Sequence, residues 1–310
     1  YRNFCNKIWN ASRFVLMNCP DDDNGFEQCT DGFMNFSQAD RWITSIFQNT
    51  LKNIESNFEN YRFDLAAQEM YQFIWDEYCD WYLEVAKVQL NKSNSEATIR
   101  GTKRTLLGLL ENILKMVHPM MPFISEEIWQ IISQKTGTHS ETIMLQSYPL
   151  SREKKIDKDA EAWMQTLKNM VEECRKLRGE MNISPAEKVP LLIIGNAEAI
   201  KSYQDYLVQL AKLESITVVD SFEKIDAPVS IVGEYKLMLK VEIDVVAEKQ
   251  RLQKEIDKLT IELKKADGKL ANQSFIEKAP ESVIIQEKER QKKFSEDLQK
   301  FKEQLSRLNS

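Results

Sequence analysis

Few positions in this chain can turn the backbone. Only 9 Gly and 8 Pro occur in 310 residues, whereas a sandwich or barrel of short strands requires a turn residue about every ten positions. The scarcity excludes those folds and makes long helices the default. The predicted fold class is mainly α: an antiparallel helical bundle over 1–150, a small α/β connector domain over 151–245 and an antiparallel coiled-coil hairpin over 246–310.

Within the first block, segments 2–18, 38–60, 64–90, 96–117 and 122–134 repeat apolar residues at helical spacing, which predicts helices joined by short connectors. Asn91 to Ser95 is a polar break, and Pro119 and Pro122 interrupt the chain between two apolar runs. The acidic connector from Cys19 to Ser37 is expected to be mobile. The aromatic residues of 71–82 read as core. Glu126 and Glu127 follow Ser125 where a helix would start, and carboxylates there favour the positive end of its dipole.

The middle block opens with an amphipathic helix from Asp159 to Arg178. Apolar runs follow at Val189 to Ile194, Ile216 to Val219, 229–233 and 235–245, with a helix from Ala197 to Lys212 between the first two. Leu237, Leu239, Val241, Ile243 and Val245 alternate as in a half-buried strand, and Gly233 offers a hairpin turn. Arg175, Lys176 and Arg178 read as a solvated helix end, with RNA contact as the alternative.

In the last block, Leu252, Ile256, Leu259, Leu263, Ala266 and Leu270 form one seam, and Phe294, Leu298, Phe301, Leu305 and Leu308 another. Asp267-Gly268, Asn272 to Ser274 and Pro280 lie between them, so the two seams are expected to fold back on each other. The second seam has opposite charges four apart at Glu289 with Lys293, Glu296 with Lys300 and Glu303 with Arg307. The first instead places Lys254 with Lys258 and Lys265 with Lys269. With Arg251 and Lys264 these make an unneutralised basic stripe, suited to an RNA backbone or to a solvated coiled-coil face.

Charge is unevenly shared, at −6, −3 and +3 for blocks 1–150, 151–245 and 246–310. A chain of net −6 is no general polyanion binder, so any anion site must be local. No run approaches the about eighteen apolar residues of a membrane span, and no leader opens the chain, so a soluble cytoplasmic protein is expected. Cys5, Cys19, Cys29, Cys79 and Cys174 are odd in number and lack a C-x-x-C, which argues against a disulfide framework or zinc knuckle. His118 and His139 have no ligand set nearby. Neither a metal site nor a catalytic residue is expected, and His118 reads as a helix-end packing residue.

The helix over 2–18 is the informative one. Ala11, Phe4, Val15, Ile8, Ser12, Cys5, Leu16 and Trp9 fill one half of its wheel, and Arg2, Arg13, Asn6, Asn10, Asn3, Phe14 and Lys7 the other. The second half has three cations, three amides and one aromatic but no carboxylate. Cations for phosphate, amides for base edges and a ring for stacking suit single-stranded RNA. An interdomain contact or an ordinary surface remains the alternative.

RNFCNKIWNASRFVLMN at 2–18, FIWDEYCDWYLEVAK at 73–87 and HPMMPFISEEIW at 118–129 resemble the anticodon-binding bundle of the class Ia aminoacyl-tRNA synthetases that charge valine, isoleucine and leucine. RGEMNISPAEKVPL at 178–191, with the seamed tail after it, is most similar to the valine-charging branch. The resemblance implies that the bundle reads an anticodon. It makes Arg2, Asn3, Asn6, Lys7, Asn10, Arg13 and Phe14 the anticodon-binding candidates. It likewise implies that Arg251, Lys254, Lys258, Lys264, Lys265 and Lys269 follow the tRNA backbone at its outer corner, where the D and T loops meet.

The implied partners are tRNA(Val) and a catalytic domain of the same chain, in a monomer. The chain opens on Tyr1 rather than Met, which leads to the expectation of a piece cut from a longer enzyme. ATP and Mg would serve that parent. Neither a HIGH-like nor a KMSKS-like string occurs here, so this segment is expected to hold no cofactor and to be inactive alone. Two alternatives stay open: the same region of an isoleucine-charging enzyme, which commonly ends in a cysteine-rich zinc module, and a structural coiled-coil adaptor for protein partners.

Overall fold

The computed structural model describes residues 2–20, 25–26, 34–93, 95–138, 140–184, 186–222, 227–240 and 245–271, then 284, 286–292, 294–295, 298–299 and 302; the side chains of 245–252 and 255 are not among those described. Cys29, His139, Pro185, Val241, Ile243 and Asn272 to Ser274 therefore lie outside. So do Pro280, Lys293, Glu296, Lys300, Phe301, Glu303, Leu305, Arg307 and Leu308. The chain divides into two compact units, Tyr1–Lys240 and Val241–Ser310. Its described part is mostly helical, with one small four-stranded sheet.

The first unit begins with α1 (Arg2–Asn18), α2 (Gln38–Glu59), α3 (Phe63–Gln72), a π-helical segment (Phe73–Tyr82), α4 (Leu83–Lys92), α5 (Glu96–Val117) and α6 (Pro122–Thr136). Their starts follow local chemistry. Ser37 and Asp40 form a reciprocal capping box for α2, Ser95 caps α5, and Pro122 occupies the first turn of α6. Val15, Ile43, Ile54, Tyr78, Tyr82, Leu107, Leu114 and Trp129 are fully buried between these helices.

The run 64–90, expected as one helix, is continuous but widens to i→i+5 bonding over Phe73–Tyr82. A π turn takes more residues than an α turn, so Phe73, Tyr78 and Tyr82, spaced five and four apart, all turn inward and are buried. Not every aromatic there is core. Tyr71 is 44% exposed, and Trp75 and Trp81 are half-buried.

Of the acidic connector, expected to be mobile, residues 21–24 and 27–33 lie outside those described, and Gly25 and Asn35 are anchored on α5. Asn35 N donates to Ala97 O at 3.0 Å, Arg104 donates to Gly25 O at 3.1 Å, and a Cβ on Gly101 would lie 2.3 Å from Asn35 O. Glu126 sits one turn inside α6, not at its start. It accepts from Thr142 Oγ1 at 2.6 Å and Ile143 N at 3.2 Å, tying down the following segment.

Helix α7 (Lys158–Glu180) packs on α2, where Glu161 accepts from Ser45 and Asn49 at 2.6 and 3.0 Å. It also packs on the sheet, whose strands β1 (Val189–Ile194), β2 (Leu213–Val218), β3 (Val229–Val232) and β4 (Tyr235–Leu239) lie in the order β2-β1-β4-β3. Strands β1 and β2 are parallel and joined through α8 (Ala197–Leu210); β1 and β4 are antiparallel, and β3 and β4 form a hairpin. Gly233 makes the hairpin turn at φ +56°, a conformation costly for other residues. The last strand is shorter than its alternation suggested, because Val245 belongs to α9 (Val245–Ala271).

In the second unit α9 runs through Gly268, where a break was expected; one glycine costs a helix only about 1 kcal/mol. Ile256 and Ala266 are buried. Residues 286–292 are helical, and Lys269 and Asp267 reach Glu287 and Gln291 at 3.0 and 2.6 Å.

Candidate nucleic-acid interface

Helix α1 buries Ile8, Ala11, Ser12 and Val15 against its neighbours, which leaves a solvent-facing arc of about 120° on the wheel. That arc carries Trp9, Arg2, Arg13, Asn6, Met17, Asn10 and Asn3, all exposed. Among the described residues none of Arg2, Asn3, Asn6, Asn10 and Arg13 takes part in a side-chain hydrogen bond or ion pair. Two cations and three amides thus face water with their hydrogen-bonding capacity unspent.

The other two candidates stand at the edge of the arc, half-buried and engaged. Lys7 pairs with Asp80 at 2.5 Å and lies 4.6 Å above the ring of Trp75. Phe14 lies beneath Lys87, whose ammonium is 5.5 Å from the ring centre and also meets Glu84 at 2.6 Å. The exposed aromatic of α1 is instead Trp9, 43% exposed, which the wheel had assigned to the apolar half. Beside Lys7 a stack of three rings continues the surface. Phe4 meets Tyr71 at 4.9 Å, and Tyr71 stacks on Trp75 at 5.5 Å.

On α9, Lys254, Lys258, Lys264, Lys265 and Lys269 are exposed, while the side chain of Arg251 lies outside the described residues. The stripe is not unneutralised. Lys265 pairs with Glu262 at 2.7 Å and Lys269 with Glu287 at 3.0 Å. Glu262 lies one turn before Lys265 on α9, and Glu287 comes from the helical residues beyond it, so the spacing of the lysines alone does not reveal either partner.

The basic cluster at the end of α7 divides. Arg175 and Lys176 are exposed, but Arg178 is only 6% exposed. Its guanidinium donates to the carbonyls of Ser184 and Glu187 at 2.6 Å each and of Lys212 at 3.2 Å, so it is a strut rather than part of a solvated helix end. His118 caps α5 and meets Ser125 Oγ through Nδ1 at 2.7 Å. Burial pushes the thiols of Cys79 and Cys174 up to about 12, so both stay protonated at neutral pH. Among the described residues no group of three His, Cys, Asp or Glu side chains is placed to hold a metal ion, and no helix is long and apolar enough to cross a membrane.

Residues 40–193 match the family model described as the anticodon-binding domain of tRNA ligase. Residues 244–309 match that described as the valyl tRNA synthetase tRNA binding arm. A curated relative named Valine--tRNA ligase, from Dechloromonas aromatica (strain RCB), is 48% identical over 318 aligned positions, covering 99% of this chain and 34% of the relative. Proteins of the same name from Chromobacterium violaceum and Laribacter hongkongensis are 43% and 41% identical, each over 99% of this chain and 33% of the relative. The chain thus spans about a third of the length of the curated relatives it matches.

Proposed function

Because the chain belongs to the valine–tRNA ligase family, we propose that it is the tRNA-reading portion of such an enzyme, serving ATP-dependent attachment of valine to tRNA(Val). The observation that carries this reading is the solvent arc of α1. Arg2, Asn3, Asn6, Asn10 and Arg13 present donors and acceptors with no carboxylate among them, the set an unstacked anticodon loop requires. Lys7 and Phe14 flank it and would join once released from Asp80 and Lys87.

The three-part division at 150 and 245, with α1 to α6 as an antiparallel bundle, belongs to the same proposal. So does the pairing of α9 with the helical residues after 283 as an antiparallel coiled coil. It is supported by Lys269 with Glu287 and Asp267 with Gln291, where one number rises as the other falls. Lys254, Lys258, Lys264, Lys265 and Lys269, with Arg251, then lie along one arm for the tRNA outer corner. A catalytic domain of the same chain would supply the ATP and Mg chemistry, in a cytoplasmic monomer.

Titration of the 310-residue chain with tRNA(Val) and with an anticodon-altered tRNA(Val), at equal salt, tests the reading. Weaker binding of the altered RNA is expected. Equal affinity for the two would remove the anticodon from the function of α1.

A further inference from the structure

A second cationic feature lies away from α1. Between α2, α5 and the segment 147–159 is a cleft of about 1360 Å³ to which no α1 residue contributes. Arg104 from α5 and Arg152, Lys154 and Lys155 from the segment line it. Other cations on its walls are neutralised: Arg41 by Asp157 at 3.4 Å, Lys115 by Glu111 at 2.7 Å and Lys158 by Glu161 at 2.8 Å. The four have no ion-pair partner among the described residues. Of the acidic side chains on the walls, Asp157 is in such a pair, Asp40 is buried in its own hydrogen bonds, and Glu111 pairs with Lys115 while its charge also reaches Arg104, which leaves Asp159.

Arg104 is held ready rather than loose. Its guanidinium lies 3.5 Å from the ring centre of Phe26 and donates to Gly25 O, contacts that orient the charge without neutralising it. Burial, and the nearby charges of Arg152 and Arg104, hold Lys155 below the usual lysine range. Like charges gathered in a half-enclosed space repel one another and concentrate a positive potential there, unexpected in a chain of net −6. Phe36, 44% exposed, adds an open ring on the same wall.

We propose that this cleft is a phosphate-binding site, with Arg104, Arg152, Lys154 and Lys155 as its cations and an RNA strand as its favoured occupant. The volume exceeds the about 300–1,000 Å³ of a small-ligand pocket, so it suits a strand passing through, whose base can stack on Phe36. A free oligophosphate offers the same chemistry. No residue of α1 lines the site, and the reading of the anticodon face does not depend on it.

The test uses the whole chain, with calorimetry of tRNA(Val) and of inorganic tripolyphosphate against wild type and the double variant Arg152→Gln/Lys155→Gln. Both substituted side chains keep part of their surface in solvent, and circular dichroism checks the fold. If RNA is the source, the variant binds tRNA at least tenfold more weakly, with the log–log salt slope smaller by about 1.4 and anticodon discrimination unchanged. If the source is a free oligophosphate, tripolyphosphate binds wild type, the variant loses it at least tenfold, and tRNA affinity stays put. Unchanged affinities for both, or no binding of either, overturn the site. Loss of anticodon discrimination in wild type would instead sink the reading of α1 and leave this one standing.

Discussion

Tyr82 donates its hydroxyl to the carboxylate of Asp40 at 2.7 Å, bridging the π-helical segment and the first turn of α2. Asp40 also accepts from Ser37 N at 3.0 Å, Ser37 Oγ at 2.8 Å and Thr102 Oγ1 at 3.3 Å. Gln89 extends the network by donating to Ser37 Oγ and by accepting from Thr102 at 3.2 Å. One buried acid thus joins α2, the π-helical segment, α4 and α5, and the wide turn at 73–82 is what brings Tyr82 onto the inner face.

Burial raises the Asp40 carboxyl above its ordinary value of 3.8, and the donors from Tyr82, Ser37 and Thr102 only partly offset that. A carboxyl with a raised pKa in the fold binds its proton more tightly folded than unfolded. Its contribution is therefore most favourable below pH 3.8 and declines as pH rises from 3.8 through the raised value. Tyr82→Phe removes one donor to the charged form. The expected cost is about 1–3 kcal/mol at neutral pH, and smaller below pH 3.8, where the acid is neutral. Urea midpoints at the two pH values check this; an equal cost at both would show that the Tyr82 hydroxyl contributes independently of the Asp40 charge.

Arg178→Lys is expected to lower the stability of the first unit by about 3 kcal/mol, since a buried ammonium cannot replace a fork holding three carbonyls. The same substitution at Arg175, which is exposed, should change the melting temperature little. Thermal unfolding of the two variants side by side distinguishes a strut from a solvated cation.

These residues mark where the sequence is readable and where it is not. The limits of α1, α5 and β1 follow from their periodicity, with Ser95 as a cap and Pro119 and Pro122 as a break. Arg178 looked solvated because its partners, the carbonyls of Ser184, Glu187 and Lys212, sit in loops that no side-chain pattern announces. Trp9 and Phe14 lie at opposite edges of the α1 arc, and which edge faces water is decided by Lys87 and the helices around it. Likewise Lys265 and Lys269 read as unpaired until Glu262 and Glu287 are seen beside them.

That pairing separates two sets of lysines on α9. Lys254→Gln/Lys264→Gln should flatten the salt dependence of tRNA binding by close to the about 0.9 per contact of a duplex phosphate. Lys265→Gln/Lys269→Gln should flatten it less, because both charges are already shared with carboxylates. Salt titrations of the two double variants check the ranking, and the reverse order would mean that the ion pairs break on binding.

Lys7 faces the same choice within α1. Its ammonium is held by Asp80 at 2.5 Å, with side-chain exposures of 29% and 48%, and must leave that carboxylate to reach an RNA phosphate. A pair so exposed is worth at most about 1 kcal/mol, so releasing it is affordable but not free. Asp80→Asn removes the competitor and keeps the shape of the side chain. The variant is expected to bind tRNA(Val) up to about fivefold more tightly, since about 1.4 kcal/mol corresponds to tenfold. Its salt slope should steepen by about 0.7 for one more single-strand phosphate. Adding Lys7→Met should abolish both gains. If Asp80→Asn leaves affinity and slope unchanged, Lys7 stays over Trp75 in the complex and the RNA-facing set contracts to the exposed arc.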